Sequence, residues 1–522
     1  MIFSGVTTGL QMKAKTKYEE FALKMQNQEE KLKWEIGTLF NDFMRIKYLV
    51  DEKDPSGETK LHKASKSGLV EEVEMLLELG ADANIKNKNH ETCLHLATKN
   101  GFPEVAEILL QNGAEVNAQN RDKLTPLHFA SWNGNDAIAE ILLQHGANVN
   151  AKTGEGQDHF GRHFDPLDYL EFRGNCKSTP LHFASEKGHF QVVKLLLQYN
   201  ADIFARNLDG KTPLRLAVTH GHFTIVKFLI QNGANLDQFD GTALLNLALN
   251  KRHFKIAEFL LENDADVNGK DKYQKTPLHY ASEEGNFDAV ELLLRYGAEV
   301  NAKNQHQTTP LHFAVTFGHY EVSKYLIRNN ANISSTNKDG LTFVHMASIN
   351  GDYEILKLLL ENGANVNAND RFQDTPLHYA SINGFTETVE FLILNGADVS
   401  AKEENNETAL HWAARKGYFE VAEILLQNGA NANARNNLME TPLHLASYNG
   451  KFKTLYEFKP TYIFPDRRIS GGVYHKFMLV LLEYGAKTDV KNQDNRTPLE
   501  EAYRHYFYGA IERVVLRHFS KN

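Results

Sequence analysis

One phrase returns along this chain and leaves few folds open to it. Thr-Pro-Leu-His stands at 125–128, 179–182, 276–279, 309–312, 375–378 and 441–444. Near matches begin at Thr59, Thr92, Thr212, Thr242, Thr342, Thr408 and Thr497, which makes 13 copies in 522 residues. Most consecutive threonines are 33 residues apart; the step from Thr212 to Thr242 is 30 and the next is 34. Two steps are longer, 54 from Thr125 to Thr179 and 56 from Thr441 to Thr497, so each contains an insertion of 21 or 23 residues. A unit this short cannot bury its own apolar face, whereas stacked neighbours can. The expected product is an elongated all-α repeat solenoid with local contacts and capped ends.

Residues 407–439 show the unit clearly: ETALHWAARKGYFEVAEILLQNGANANARNNLM. Thr408 is placed to cap a helix, and in most copies proline follows at the first helical position, where its missing N–H is harmless. Leu410 and Ala413 share one face of a short helix, and Gly417 stands where positive φ ends it. A second helix is expected from about Phe419 to Gln427, with Val421, Ala422, Ile424 and Leu425 on its apolar side and Gly429 after it. This unit resembles the ankyrin repeat, and the resemblance covers about residues 55–519. It implies helix-turn-helix pairs joined by β-hairpin-like fingers, stacked into a curved array. It also implies a structural bond across the finger from Asn117, Asn150, Asn301 and Asn367.

Residues 1–54 read as an N-terminal helical cap and 55–522 as the solenoid. Phe21, Met25, Leu32, Ile36, Leu39, Phe40 and Phe43 recur at helical spacing, but the heptads are too irregular to favour a coiled coil. One insertion, near 153–177, enters where a finger belongs and should protrude there. A second, near 453–475, falls between the two helices of repeat 12, and its Pro460, Pro465, Gly471 and Gly472 read as loop. The last unit, from Thr497, reads as a C-terminal capping repeat.

Nothing here reads as an enzyme. Ten of the 23 histidines (His62, His95, His128, His182, His279, His312, His345, His378, His411 and His444) are simply the fourth residue of the repeat phrase. Their expected role is hydrogen bonding between helix start and adjacent finger. Arg215, Leu245 and Glu500 replace this histidine in other copies. Asp158, His159, His163, Asp165, Asp168 and Cys176 crowd the first insertion, yet their spacing matches no standard metal site. Two cysteines exclude a disulfide scaffold, and a net charge of −9 gives no nucleic-acid footprint. No phosphate loop, GxSxG, HExxH or kinase signature occurs. No apolar run approaches the roughly 18–20 residues of a membrane span. The first residues do not read as a secretory signal, so a cytoplasmic, reducing compartment is the default. No cofactor, metal, nucleic acid or membrane insertion is expected, and the chain should be a monomer by itself.

The resemblance implies partner proteins bound along the concave face, which is built from finger tips and the exposed side of each first helix. Repeat phase places Arg121, Trp132, Tyr273, His306, Phe317, Arg371, Phe372, Ile382, Leu438 and Tyr448 on these positions. A purely solvated face would be small and polar; aromatics interspersed with arginine are what binding hot spots use. Some of these rings could instead pack against the next finger. The expected function is a non-enzymatic protein-interaction scaffold with its main site in repeats 7–12. The alternatives are a substrate-targeting subunit of a larger enzyme complex, such as a ubiquitin ligase, or a host-directed effector of an intracellular microbe.

Overall fold

A computed structural model describes residues 50–154, 176–234, 238–448 and 471–504. Among these residues there are 25 α-helices and no strand. They alternate as the repeat dictates, from Lys60–Ser67 and Val70–Glu78 in the first copy to Pro498–Arg504 in the last. Within each of the first twelve copies the two helices pack on each other, and inside each unit most helices pack on their counterpart in the next copy. The fold is an all-helical repeat solenoid. The chain divides into two compact units, Met1–Leu236 and Asp237–Asn522.

Most first helices are closed at both ends by local chemistry. In all ten copies with histidine, the threonine hydroxyl lies 2.8–2.9 Å from the histidine Nδ1. The threonine backbone N–H donates to the same Nδ1 at 3.0–3.2 Å. Histidine thus plays the part of the glutamate in an ordinary capping box. The last copy uses glutamate itself: Glu500 Oε2 accepts from the Thr497 N–H at 2.7 Å. Glycine closes the other end of most first helices in the left-handed region, and at Gly134 (φ 73°) a Cβ would also strike the His189 ring at 2.3 Å.

Because Nδ1 accepts, the proton of the neutral ring sits on Nε2. In nine copies Nε2 reaches a backbone carbonyl of the next finger at 3.0–3.3 Å, from Glu91 for His62 to Arg496 for His444. One ring therefore caps its own helix and ties it to the following repeat. The tenth, His312, has no partner on Nε2. The next copy carries the fully buried Phe343 where proline usually stands, and this ring lies 4.4 Å from the His312 ring, centroid to centroid.

Asparagine supplies a second tie, reaching the next repeat rather than closing its own finger. Asn117 Nδ2 donates to the Gly146 carbonyl at 3.2 Å, and its Oδ1 accepts from Asn148 N–H at 2.7 Å. Asn150, Asn301 and Asn367 do the same with Asn200, Asn330 and Gly396. Repeat 5 and the finger before it lack both ties, because Phe204 and Arg215 hold the asparagine and histidine positions.

Three expectations need correction. The fingers are hydrogen-bonded turns, without strands among the described residues. Gly471 opens the helix Gly471–Glu483 instead of lying in the loop before it. Repeat 6 has no threonine-capped helix: with its preceding connection three residues shorter, the helix already starts at Gln238 and Thr242 falls inside it. The proposed cap at 1–54 lies almost wholly outside the described residues, as do most of both insertions and the end of the last repeat. The ends of the first insertion are described. Lys177 N–H donates to the Gly154 carbonyl at 3.2 Å, so the segment leaves and rejoins the chain at one place.

Two outcomes follow from the histidine column. His378→Ala, which removes a cap and a tie, should cost about 2–4 kcal/mol in urea unfolding. His312→Ala, with no tie to lose, should cost about 1 kcal/mol less. Burial also pushes His95, His128, His182, His279, His312, His378 and His411 down to about 4, from an ordinary value of 6.5. These rings are neutral when folded and protonate more readily when unfolded. Stability is therefore complete above pH 6.5 and falls as pH drops from there towards 4. Circular dichroism across this window should show steep acid unfolding, each histidine contributing about 1.4 kcal/mol per pH unit.

Candidate protein-binding surface

The finger tips are rigid for a local reason. Five residues before every capping threonine except Thr179 stands Asn, Asp or Glu, whose side chain holds the turn. Asp271 Oδ1 accepts from Tyr273 and Lys275 N–H at 2.9 and 2.8 Å, and Asp370 Oδ1 accepts from Phe372 and Asp374 N–H at 2.8 and 2.9 Å. Asn304 and Asn436 repeat the arrangement around His306 and Leu438. The residue after each tip is left-handed, as at Gln274 (φ 59°) and Gln373 (φ 62°). Backbone bonds link successive tips, including Gln305 N–H to the Tyr273 carbonyl at 3.2 Å and Glu404 N–H to the Phe372 carbonyl at 3.0 Å.

These turns fix side chains in one register. Tyr273, His306, Phe372 and Leu438 all stand three residues before a capping threonine, and all are exposed. The fractions are 46% for Tyr273, 48% for Phe372 and 53% for Leu438, well above what a packed ring would leave. Phe317, at the end of its first helix, is 53% exposed and stacks on His319 at 6.3 Å. Ile382 is half-buried.

Arg121 and Arg371 are exposed but engaged. Each guanidinium donates to a carbonyl of the preceding finger, Lys88 at 2.8 Å and Lys338 at 2.5 Å. Trp132 is half-buried, with its ring 5.6 Å from that of Phe183 in a T-shaped contact and the Lys187 Nζ 3.5 Å above it. It packs against the buried cluster of Leu124, Phe129 and Phe183. The side chain of Tyr448 lies outside the described residues. Tyr273, His306, Phe317, Arg371, Phe372, Ile382 and Leu438 belong to the second unit; Arg121 and Trp132 belong to the first.

The finger rule also covers residues the sequence reading passed over. Leu208, four before Thr212, is 53% exposed, and Met439 beside Leu438 is 42% exposed. Leu208 sits at the same position as Arg121 and was legible by the same count. Met439 occupies the left-handed position, where other copies carry Gly, His, Lys, Gln or Asn. Exposed apolar groups occur away from the tips too, such as Leu394 at the end of a second helix.

Acidic groups gather in the same fingers. Asp370, Glu403 and Glu407 are buried there, and Arg415 pairs with Glu407. Burial first, then the charges of these three carboxylates, push Asp374 up to about 8. No group of three or more His, Cys, Asp or Glu among the described residues is placed to hold a metal ion. No helix among them is long and apolar enough to cross a membrane. Cys93 is buried, and burial pushes its thiol up to about 12, far from nucleophilic.

The tip residues should be expendable for folding and Trp132 should not. Phe372→Ala and Leu438→Ala are expected to change unfolding free energy by less than about 0.5 kcal/mol. Trp132→Ala should cost about 2–4 kcal/mol. Parallel urea titrations check both.

A family model described as ankyrin repeats (three copies) matches residues 61–153, 163–240, 235–304, 296–370, 345–436 and 377–458. No curated protein matches the chain.

Proposed function

Since this chain belongs to the ankyrin-repeat family, whose members are in general protein-interaction modules without chemistry of their own, we propose that it is a non-enzymatic scaffold. It takes a partner protein on the concave surface of repeats 7–12. The observation that carries this reading is the exposed row Tyr273, Phe372 and Leu438, held in one register on rigid turns. Large apolar side chains that are solvated when free and fixed in place lose little entropy on binding and gain much from burial. Phe317 and Ile382, from first-helix ends, extend the surface, and His306 and Arg371 supply its polar contacts. Tyr448 continues it in repeat 12, and Arg121 and Trp132 mark the corresponding positions in the first unit.

The experiment is affinity capture with the whole chain as bait, beside a Tyr273/Phe317/Phe372/Leu438→Ala variant. Circular dichroism should show equal helicity, because these four side chains are exposed. Proteins bound by the wild type and lost by the variant are the expected result. Equal capture by both would move the docking surface elsewhere and remove these residues from it.

A further inference from the structure

The first unit carries charge of opposite sign on its two sides. The second helices of repeats 1–3, Val70–Glu78, Pro103–Gln111 and Asp136–Gln144, hold four, two and two acidic residues and neither lysine nor arginine. The fingers and the outward side of the first helices run the other way. The positions there are the four residues before each capping threonine and the fourth, seventh and eighth after it. In repeat 2 they hold Lys88 and Lys99 against Glu91, in repeat 3 Arg121 and Lys123 against Asp122, and in repeat 4 Lys177 and Lys187 against Glu186. Glu91 is buried and accepts from Asn87 Nδ2 at 3.1 Å, so its charge serves its own finger. The same positions in repeats 7–12 hold six cations, from Lys272 to Lys416, and seven acidic residues, from Glu283 to Glu440. The excess of cations is therefore local. It also ends at its borders, where the cations have ion pairs: Lys63 with Asp54 at 2.8 Å and Lys66 with Glu58 at 3.8 Å in repeat 1, and Lys211 with Asp209 at 3.1 Å in repeat 5.

Neutral groups hold several of the cations of repeats 2–4 in place. The Arg121 guanidinium donates to the Lys88 carbonyl at 2.8 Å. Lys187 Nζ lies 3.5 Å from the centre of the Trp132 ring, and Lys99 Nζ lies 6.0 Å from that of Phe129. Both rings stand three residues apart on the helix Pro126–Asn133, so the two ammonium groups reach it from the first helices before and after. A ring or a carbonyl orients a cation without cancelling its charge. The tips are tied into a row as well, Arg121 N–H to the Asn89 carbonyl at 3.1 Å and Gly154 N–H to the Asp122 carbonyl at 2.8 Å. Lys88, Arg121, Lys123 and Lys187 are exposed. Cations in fixed register, with opposite charge on the far side, attract an anion and set the direction from which it approaches.

We infer that this face of repeats 2–4 is a second docking surface, for an acidic polypeptide segment whose carboxylates lie against Lys88, Arg121, Lys123 and Lys187. It is independent of the row at repeats 7–12. A polypeptide suits the face better than a nucleic acid does. Asp122 and Glu186 interrupt the cations, and the acidic second helices repel an unbroken polyanion. A segment with carboxylates at intervals can set neutral residues opposite those two. Arginine adds specificity, because the donors that Arg121 does not give to the Lys88 carbonyl remain for a carboxylate in its plane.

The test pans a random peptide library displayed on phage against the full chain. The expected clones are enriched in aspartate and glutamate. Their affinity should fall about tenfold or more on Lys88→Glu/Lys123→Glu. Lys194→Glu/Lys227→Glu changes the net charge equally but on second helices, and should alter affinity less than about twofold. Phe372→Ala/Leu438→Ala should leave these clones bound as tightly as before. All the replaced side chains are exposed, so circular dichroism should show equal helicity throughout. A fluorescein-labelled oligothymidine, titrated in parallel, should bind more weakly than the clones. Clones without enriched acidic residues, or equal losses on the two charge-reversed variants, would overturn the proposal. Clones that need Phe372 and Leu438 would belong to the other surface and overturn it too. Oligothymidine that binds more tightly than the clones and is lost on Lys88→Glu/Lys123→Glu would make this a nucleic-acid surface instead.

Discussion

The neutral imidazole at the fourth position of the repeat phrase is the interaction on which the rest depends. Its Nδ1 takes the threonine N–H and hydroxyl, and its Nε2–H reaches the next finger. Capping and stacking are thereby one event: a helix start that forms correctly also presents the donor for its neighbour. A protonated ring would lose the acceptor that closes the cap, and burial disfavours that form. The other ties differ in kind. Asparagine binds exposed turns, and residues such as His189 and His319 reach back to carbonyls of the preceding first helix at 2.9 and 3.0 Å. A repeat that carries all three ties is thus fixed at finger, helix start and helix end.

Most of this architecture was legible in the sequence, because a repeat read 13 times averages away local accidents. Helix starts, glycine stops and the histidine role all follow from one aligned unit. The departures come where a copy changes its own chemistry. Thr242 loses its capping position because the connection before it is three residues shorter, which lets the helix extend back to Gln238. His312 loses its tie because Phe343 fills the place of a proline. The asparagine bond was legible as a bond but not in its direction, since one copy in isolation cannot distinguish a side chain closing its own finger from one reaching the next.

The surface was only partly legible. Register alone puts Tyr273, Phe372 and Leu438 at the tips, and the exposed side chains stand there. Register cannot tell a tip side chain from one that folds back onto its own core. Trp132 folds back, because Phe183 in the next first helix offers it an edge and Lys187 covers its other face.

The insertions have a consequence for how such a chain can change. The ties of an uninterrupted repeat join residues 29 apart in sequence, as in His95 to Leu124. Across the first insertion the same ties span 50 residues, and across the second 52, with unchanged lengths. What the ties measure is distance in space, so a segment added at a finger or between paired helices leaves the stack in step. Closing a longer connection costs only about 0.6 kcal/mol for each doubling of its length. The solenoid therefore behaves as a carrier with ports, where new sequence can be tried, kept or discarded without renegotiating the fold that holds it.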